Sequence, residues 1–281
     1  MKSKSGKSLV QSITSRLSKL AREQRKPYDK LQTIFLLERA VSRLTQDNKL
    51  AMHMVFKGGY VSVRVYDSPR FTKDVDAVLK GIDQKDALKL IKTQMEMETG
   101  DGVWFKFQEE QDLTTQSEYG GLRLVYRCGL GEVPINVKRE KQIQIDIGTG
   151  DPITPAPNLI GIPSLLGDEI LSWQVYPVET ILAEKLHSIL TKGAANSRAR
   201  DIYDCDLLLP RADANLLKEA LAETFSYRRD SLPKEISPSI STFDASLLKR
   251  GWTSAAGYIE GADGFDVTFQ RLISGLEKIG L

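Results

Sequence analysis

The sequence predicts an α/β (α+β) fold in which a mixed sheet, preceded by helices, is followed by a mostly helical C-terminal domain. Strand-like segments alternate with helical ones through about the first 150 residues, and a Gly- and Pro-rich stretch follows. Beyond that stretch, apolar residues recur only at helical spacing. Because alternating strands and helices build one sheet domain, we expect it to span residues 1–160, with a helical domain over residues 161–281.

Two helices are expected before the first strand. The first is amphipathic, because apolar residues recur every three or four positions, at Leu9, Ile13, Leu17 and Leu20. Pro27 interrupts this helix. The second helix is expected from about Asp29 to Asp47.

The first predicted helix is also basic. Residues 1–30 contain only Glu23 and Asp29 as acidic residues, against nine basic ones: Lys2, Lys4, Lys7, Arg16, Lys19, Arg22, Arg25, Lys26 and Lys30. Such an excess is typical of a solvated helix face. It can equally attract a polyanion, although the whole chain has a formal net charge of only +2.

The sheet and the second half follow in order. A short apolar segment is present at 54–56. Strands are expected after it at 74–79, 103–107, 122–128 and 142–147. A Lys57-Gly58-Gly59 turn, a short helix or irregular turn at 60–66 and a helix at 83–98 connect them. The stretch 148–163 is predicted to be a boundary loop. Helices are expected at 178–190, 199–209, 216–225, 243–252 and 267–279.

The composition excludes several classes of protein. Hydrophobic residues make up 41% and charged residues 27%, as in ordinary globular chains. The longest apolar runs, such as 34–37, fall far below the roughly 18 residues that span a bilayer. No apolar region follows the basic N-terminus, so we expect no secretion signal, no membrane association and a cytoplasmic location. Two cysteines and two histidines are too few for a disulfide framework or a zinc cluster.

Asp74 and Asp76 are the first residues that point to chemistry. They lie two apart in an apolar strand, so both side chains leave the same face. Mg²⁺ prefers a few carboxylates together with substrate phosphates. Asp146 lies in a second strand in which polar residues alternate with isoleucines. If the two strands are neighbours, three aspartates converge on one or two metal ions. Such ions stabilise an in-line phosphoryl displacement.

Gly58-Gly59 supplies the other half of a phosphate-binding pattern. Glycines let the backbone approach a triphosphate closely and present N–H groups to it. A strand, the Gly-Gly pair, fourteen intervening residues and Asp-Val-Asp occur in this order. Each piece alone is common, but the combination favours a site for a metal and a triphosphate.

The chain resembles the DNA polymerase β-type nucleotidyltransferase superfamily and, within it, the AbiEii/AbiGii toxin family. The matching motifs are FKGG at 56–59, SPRFTKDVDAVL at 68–79, IQIDIG at 143–148, YPVETILAEKLHSILTKG at 176–193 and ARDIYDCDLL at 199–208. They stand in the family's order. The N-terminal arm and the region beyond about residue 215 match no motif of the family.

The resemblance implies a role for each matching residue. Asp74, Asp76 and Asp146 would hold Mg²⁺, and Asp146 would also activate the attacking hydroxyl. Lys185 and Asp201 would join these three as catalytic residues. The nucleotide would be bound by Lys57, Gly58, Gly59, Arg70, Thr72, Glu179, Lys185, Arg200 and Asp204.

Some of these residues also have simpler interpretations. Lys185 could be a solvated lysine of an amphipathic helix. If it contacts the triphosphate instead, Lys185→Gln is expected to abolish turnover and to leave the melting temperature little changed. Arg200 and Asp204 are spaced as an i,i+4 helix pair, worth a few tenths of a kcal/mol. Thr72 is either a packing hydroxyl or a modification point whose added charge would oppose triphosphate binding.

The implied function is Mg²⁺-dependent transfer of a nucleoside monophosphate from a nucleoside triphosphate to RNA, with a tRNA 3′ end as the expected acceptor. The protein would be the toxin of a bacterial toxin–antitoxin or phage-defence (abortive infection) pair and would have a cognate antitoxin. One alternative is the same chemistry on a small molecule or a protein. Another is a catalytically silent RNA- or protein-binding module, against which the intact set of three aspartates argues.

Overall fold

The computed structural model describes residues 2–113, 121–150, 152–167, 169–193, 199–256, 259 and 261–281, and side chains are not described at 2–5 and 149. The strands are β1 (Met54–Lys57), β2 (Asp74–Leu79), β3 (Val103–Asp112), β4 (Leu122–Leu130), β5 (Lys141–Thr149), β6 (Asn158–Pro163) and β7 (Ile170–Val175). The helices are α1 (Lys2–Glu23), α2 (Tyr28–Gln46), α3 (Asn48–His53), α4 (Gly58–Arg64), α5 (Gln84–Glu96), α6 (Val178–Lys192), α7 (Ala199–Leu208), α8 (Ala214–Tyr227), α9 (Ile236–Ser241), α10 (Ala245–Arg250), α11 (Trp252–Ala256) and α12 (Phe265–Lys278).

Within the described ranges, seven strands form one mixed sheet in the order β3-β4-β5-β2-β1-β7-β6. β2 and β5 run parallel, while β1 with β2, β3 with β4, and β4 with β5 pair antiparallel. Helices precede the sheet and follow it. The predicted fold class is therefore confirmed.

The alternation of apolar and polar residues decides which face of the sheet is buried. Fully buried side chains of β2 and β5 include Val75, Ala77, Ile143, Ile145 and Ile147. Helix α2 packs on β2 and β5, and α5 packs on β3. Since successive side chains of a strand point to opposite faces, Asp74, Asp76 and Asp146 all lie on the other face.

Several predicted elements differ from the observed ones. The loop predicted at 148–163 is wrong in its second part, because β6 forms there, and β7 was not predicted. Strand β6 lies at the sheet edge, where its Gly161 and terminal Pro163 are tolerated. The helix predicted at 243–252 is replaced by the short helices α10 and α11, which meet at Gly251. Helices α3 and α9, at six residues each, are too short to show helical periodicity.

The chain divides into two compact units. The first comprises residues 1–60, 71–150 and 159–174, and the second comprises residues 61–70, 151–158 and 175–281. In the first, the buried indole of Trp173 on β7 packs against the rings of Phe56 and Tyr60, with centroids 6.2 and 5.5 Å away. In the second, α6 packs on α7 and α8, and α12 packs on α7 and α9.

Helix α1 is amphipathic, as predicted. Its buried stripe consists of Ile13, Leu17 and Ala21. Its exposed basic side chains are Lys7, Arg16, Lys19 and Arg22, while the side chains of Lys2 and Lys4 lie outside the described residues. No helix in the described ranges combines the length and the apolar character needed to cross a membrane.

Candidate active site

Four charged residues form one row across four neighbouring strands. In register, Lys57 of β1 pairs with Asp76 of β2, Asp76 with Asp146 of β5, and Asp146 with Arg123 of β4. Residues directly opposite each other project from the same face. The sheet therefore carries two carboxylates side by side with a cation beyond each of them. This charged row lies on the face opposite the buried isoleucines.

Asp74 lies one pleat away from the row on the same face of β2. The Thr72 hydroxyl donates a hydrogen bond to the Asp74 carboxylate, and Thr72 is itself buried. The structure thus gives the Thr72 hydroxyl a contact that positions the Asp74 carboxylate, and modification of Thr72 stays a prediction. The structure brings Asp74, Asp76 and Asp146 onto one face, as the strand pattern predicted.

Arg123 is the residue of this site that the sequence did not reveal. Its Nε donates to Asp146 Oδ1 and its Nη2 donates to Asp146 Oδ2, both at 2.7 Å. The hydrogen bonds to Asp146 raise the pKa of Arg123, and the charges of Asp74 and Asp76 add to this effect. The only signal in the sequence was a basic residue alternating with apolar ones in β4. Its partner follows from the register with β5, which the sequence does not specify.

Gly58 places the backbone directly against Asp76. Its φ of +71° lies in the left-handed region that favours glycine. A Cβ at this position would lie well under 3.0 Å from Asp76 Oδ2. Any other residue would therefore displace the carboxylate. Lys57 and Gly59 flank Gly58 at the junction of β1 and α4, so the predicted turn is the start of a helix.

The donors on this face fit a hard divalent cation. Asp74 and Asp76 present carboxylates from one face, and such oxygens are the ligands that Mg²⁺ prefers. Asp146 completes the set in sequence, but both of its oxygens bind Arg123. No group of three His, Cys, Asp or Glu side chains in the described part of the chain is arranged to hold a metal.

The second unit contains a buried ion-pair network. The Lys185 ammonium lies 2.6 Å from Asp204 and 3.0 Å from Asp201, and Arg70 lies 3.0 Å from Asp204. Asp204 is fully buried. Burial lowers the pKa of Lys185, but the charges of Asp204 and Asp201 outweigh that, so its pKa is raised. Lys185 is therefore not a solvated lysine.

The pairing proposed for Arg200 is also wrong. Asp204 pairs with Arg70 and Lys185, and Arg200 contributes its backbone carbonyl, which accepts a hydrogen bond from Arg70 Nη1 at 3.2 Å. The side chain of Arg200 is exposed. The i,i+4 spacing indicated a helix correctly but not the partner, because the buried carboxylate binds cations from other elements.

Glu179 and Tyr66 lie in the same unit. The buried Glu179 carboxylate accepts a hydrogen bond from the backbone N–H of Asp213 at 2.9 Å, immediately before α8. Burial raises the pKa of Tyr66 to about 12, and the Glu179 charge contributes. The Tyr66 hydroxyl donates to the backbone carbonyl of Tyr176. The hydrogen bond from Asp213 thus holds the Glu179 carboxylate, at the start of α6, in place.

Comparison with known protein families identifies the family of this chain. Residues 39–270 match the model of the family described as nucleotidyl transferase AbiEii toxin, Type IV TA system. The chain belongs to the AbiEii toxin family. It is a nucleotidyltransferase, and the sequence motifs had predicted both the family and the enzyme class correctly.

A solved structure agrees on the fold. A crystal structure of a candidate nucleotidyltransferase from H. pylori superposes with a TM-score of 0.53 at 16% identity, covering 90% of this chain and 96% of that one. An antigenic nucleotidyltransferase-like protein from Paracoccidioides brasiliensis has a TM-score of 0.42 at 18% identity, with 74% and 93% covered. A search of curated proteins found no match.

Replacing Gly58 by Ala is expected to destabilise the AbiEii chain and to displace Asp76. The left-handed φ alone costs about 1–2 kcal/mol, and the collision with Asp76 adds about 1–3 kcal/mol. Urea unfolding measures the sum. Gly100→Ala is the matched control, since Gly100 has a φ of +72° with nothing within 4 Å of its added Cβ. Equal losses in the two variants would show that Asp76 is not constrained by Gly58.

Replacing Lys185 by Gln is expected to destabilise the protein by about 3–5 kcal/mol, because the buried Asp204 and the largely shielded Asp201 both lose a cation. This replaces the expectation of an unchanged melting temperature. Lys249→Gln is the control, since its pair with Asp266 is exposed and worth under about 1 kcal/mol. Urea unfolding of both variants, with Lys185→Arg as the conservative replacement, checks this. Equal free energies of unfolding for Lys185→Gln and Lys249→Gln would contradict the structural role of the network.

Proposed function

We propose that this AbiEii nucleotidyltransferase uses Mg²⁺ to transfer a nucleoside monophosphate from a nucleoside triphosphate to an RNA acceptor, the 3′ end of a tRNA. We propose further that it is a cytoplasmic toxin with a cognate antitoxin and acts in phage defence. The observation that carries the chemistry is the charged row on one face of the sheet, with Asp74 beside it. The family membership supports the antitoxin.

In this proposal Asp74 and Asp76 hold Mg²⁺, with Asp146 as the third member of the carboxylate set. The ion supplies charge neutralisation for the triphosphate. Gly58 and Gly59 let backbone N–H groups approach the phosphates, and Lys57 adds a cation at the end of the row. Thr72 orients the Asp74 carboxylate. These residues belong to the predicted domain over residues 1–160, which we propose as the nucleotidyltransferase domain.

Within the predicted helical domain over residues 161–281, Lys185 is proposed to contact nucleotide phosphates. Its ammonium has three N–H donors, and the contacts with Asp201 and Asp204 leave a third for a phosphate oxygen. Asp201 orients this ammonium, and Arg70 balances the charge of Asp204. The nucleotide-binding roles of Glu179 and Arg200 rest on the motifs in which they occur, with the exposed Arg200 side chain available to a ligand.

The acceptor is proposed to contact α1. Its exposed side chains Lys7, Arg16, Lys19 and Arg22 offer positive charge to a phosphate backbone. A small-molecule acceptor has no phosphate backbone that would contact such a row of basic side chains. The same chemistry on a small molecule or a protein stays the alternative that the acceptor experiments exclude or support.

Transfer is tested by incubating the protein with total tRNA, Mg²⁺ and each labelled nucleoside triphosphate in turn. Asp74→Asn and Asp76→Asn are expected to lose about 10²–10³-fold in rate, because the charge that offsets the cation disappears. Asp86→Asn is the control, since Asp86 is exposed and pairs only loosely with Lys49. Near-parental transfer in either active-site variant would remove that residue from the site. If none of the labelled triphosphates labels tRNA, the proposal that tRNA is the acceptor is wrong.

RNA contact by α1 is tested through salt dependence. In Arg16→Gln/Lys19→Gln/Arg22→Gln, the slope of log affinity for tRNA against log salt is expected to fall by about 2, since each lost phosphate contact removes about 0.7. The control replaces three exposed lysines of the second unit, Lys218, Lys234 and Lys278, by Gln. Filter binding at several salt concentrations measures the slopes. An unchanged slope in the α1 variant would show that the basic side chains of α1 form only a solvated helix face.

A further inference from the structure

The contact between Arg123 and Asp146 raises a question that the proposed function does not answer. Asp146 is the neighbour of Asp76 in the parallel pairing of β2 with β5, so its carboxylate stands beside the proposed cation ligands. Yet its two oxygens each accept a 2.7 Å hydrogen bond from Arg123. The guanidinium occupies one lone pair of each oxygen, and its positive charge repels a metal ion that would approach the same oxygens.

The geometry of the ion pair between Arg123 and Asp146 makes it stable. Arg123 and Asp146 lie directly opposite each other in the antiparallel pairing of β4 with β5, so the register brings the two side chains together. The guanidinium fork matches the carboxylate in both position and planarity, which makes this among the stronger ion pairs in proteins. Both side chains are largely shielded, with 23% and 16% of their surface exposed.

The charge of Arg123 also serves the whole cluster. Strands lie about 4.8 Å apart, so Asp76 and Asp146 would repel each other strongly if nothing offset their charges. Arg123 neutralises one of the two. The cation of the proposed function would lie at Asp74 and Asp76, which project from the same face of β2.

We propose that Arg123 is a positioning residue that keeps Asp146 out of the ligand set of the cation bound at Asp74 and Asp76 in the nucleotide-free enzyme. This inference rests on the proposed function, because it assumes a cation on this face. It assigns Arg123 a role that none of the matching motifs contains. Release of Asp146 from Arg123 would then be what adds a third carboxylate to the site.

The test is the affinity of the full-length protein for Mn²⁺ without nucleotide, measured by isothermal titration calorimetry and by the electron paramagnetic resonance of free Mn²⁺. Arg123→Gln is expected to bind Mn²⁺ at least about tenfold more tightly than the parent, because Asp146 becomes a ligand. The double variant Arg123→Gln/Asp146→Asn, which removes a neutral pair, is expected to match the parent within about threefold.

Arg127→Gln is the matched control for plain electrostatics. Arg127 lies four residues along the same strand on the same face, and it donates to the backbone carbonyl of Glu140 rather than to a carboxylate. A tightening in Arg123→Gln no larger than in Arg127→Gln would overturn the proposal. A double variant that binds Mn²⁺ about tenfold more weakly than the parent would overturn it too, because Asp146 would then be a ligand already in the parent.

Arg123→Lys covers the case in which Arg123→Gln does not fold. A lysine keeps the charge but cannot engage both oxygens with one fork, so tighter Mn²⁺ binding than in the parent is still expected, and an unchanged affinity would overturn the proposal. The labelled transfer assay reports the proposed function separately. If transfer is absent but the Mn²⁺ pattern holds, the function fails and the role of Arg123 stands.

Discussion

The parallel pairing of β2 with β5 is the constraint on which the rest of the site depends. It places Asp76 beside Asp146, and two carboxylates one strand apart are unfavourable unless cations stand near them. The neighbouring strands supply these cations in the same register, with Lys57 on β1 and Arg123 on β4. The sheet therefore holds this charge distribution as a fixed part of its structure, and in the proposed function it accepts a divalent cation and a phosphate.

The second unit applies the same principle in a more buried setting. Asp204 has no exposed surface and is balanced by Arg70 and Lys185, while Asp201 adds a second carboxylate to Lys185. Removing either cation would leave the buried Asp204 carboxylate with one cationic partner instead of two, which is more costly than losing an exposed pair. Residues that the AbiEii motifs mark as functional thus also stabilise the fold, so activity and stability cannot be separated there by substitution alone.

Much of the site could be predicted from local sequence. Asp-Val-Asp in an apolar strand sets two carboxylates on one face, and the alternation of Asp146 with isoleucines sets the third on a polar face, because strand periodicity is local. Gly58 was predicted to let the backbone approach a triphosphate, and that role stays a prediction; the structure shows a left-handed φ there with Asp76 against it. The partners of Asp204 could not be predicted, since Arg70 and Lys185 come from distant parts of the chain.

By itself, the sequence determined the family, the enzyme class, the mixed sheet and the residues that could bear charge. All of these depend on local periodicity or on short motifs. Only the tertiary structure decided that Arg123 grips Asp146, that Lys185 is buried in an ion-pair network, and that β6 and β7 extend the sheet beyond β1. The reason is physical: strand register and the burial of charge are set by residues far apart in the chain, and a local pattern does not encode them.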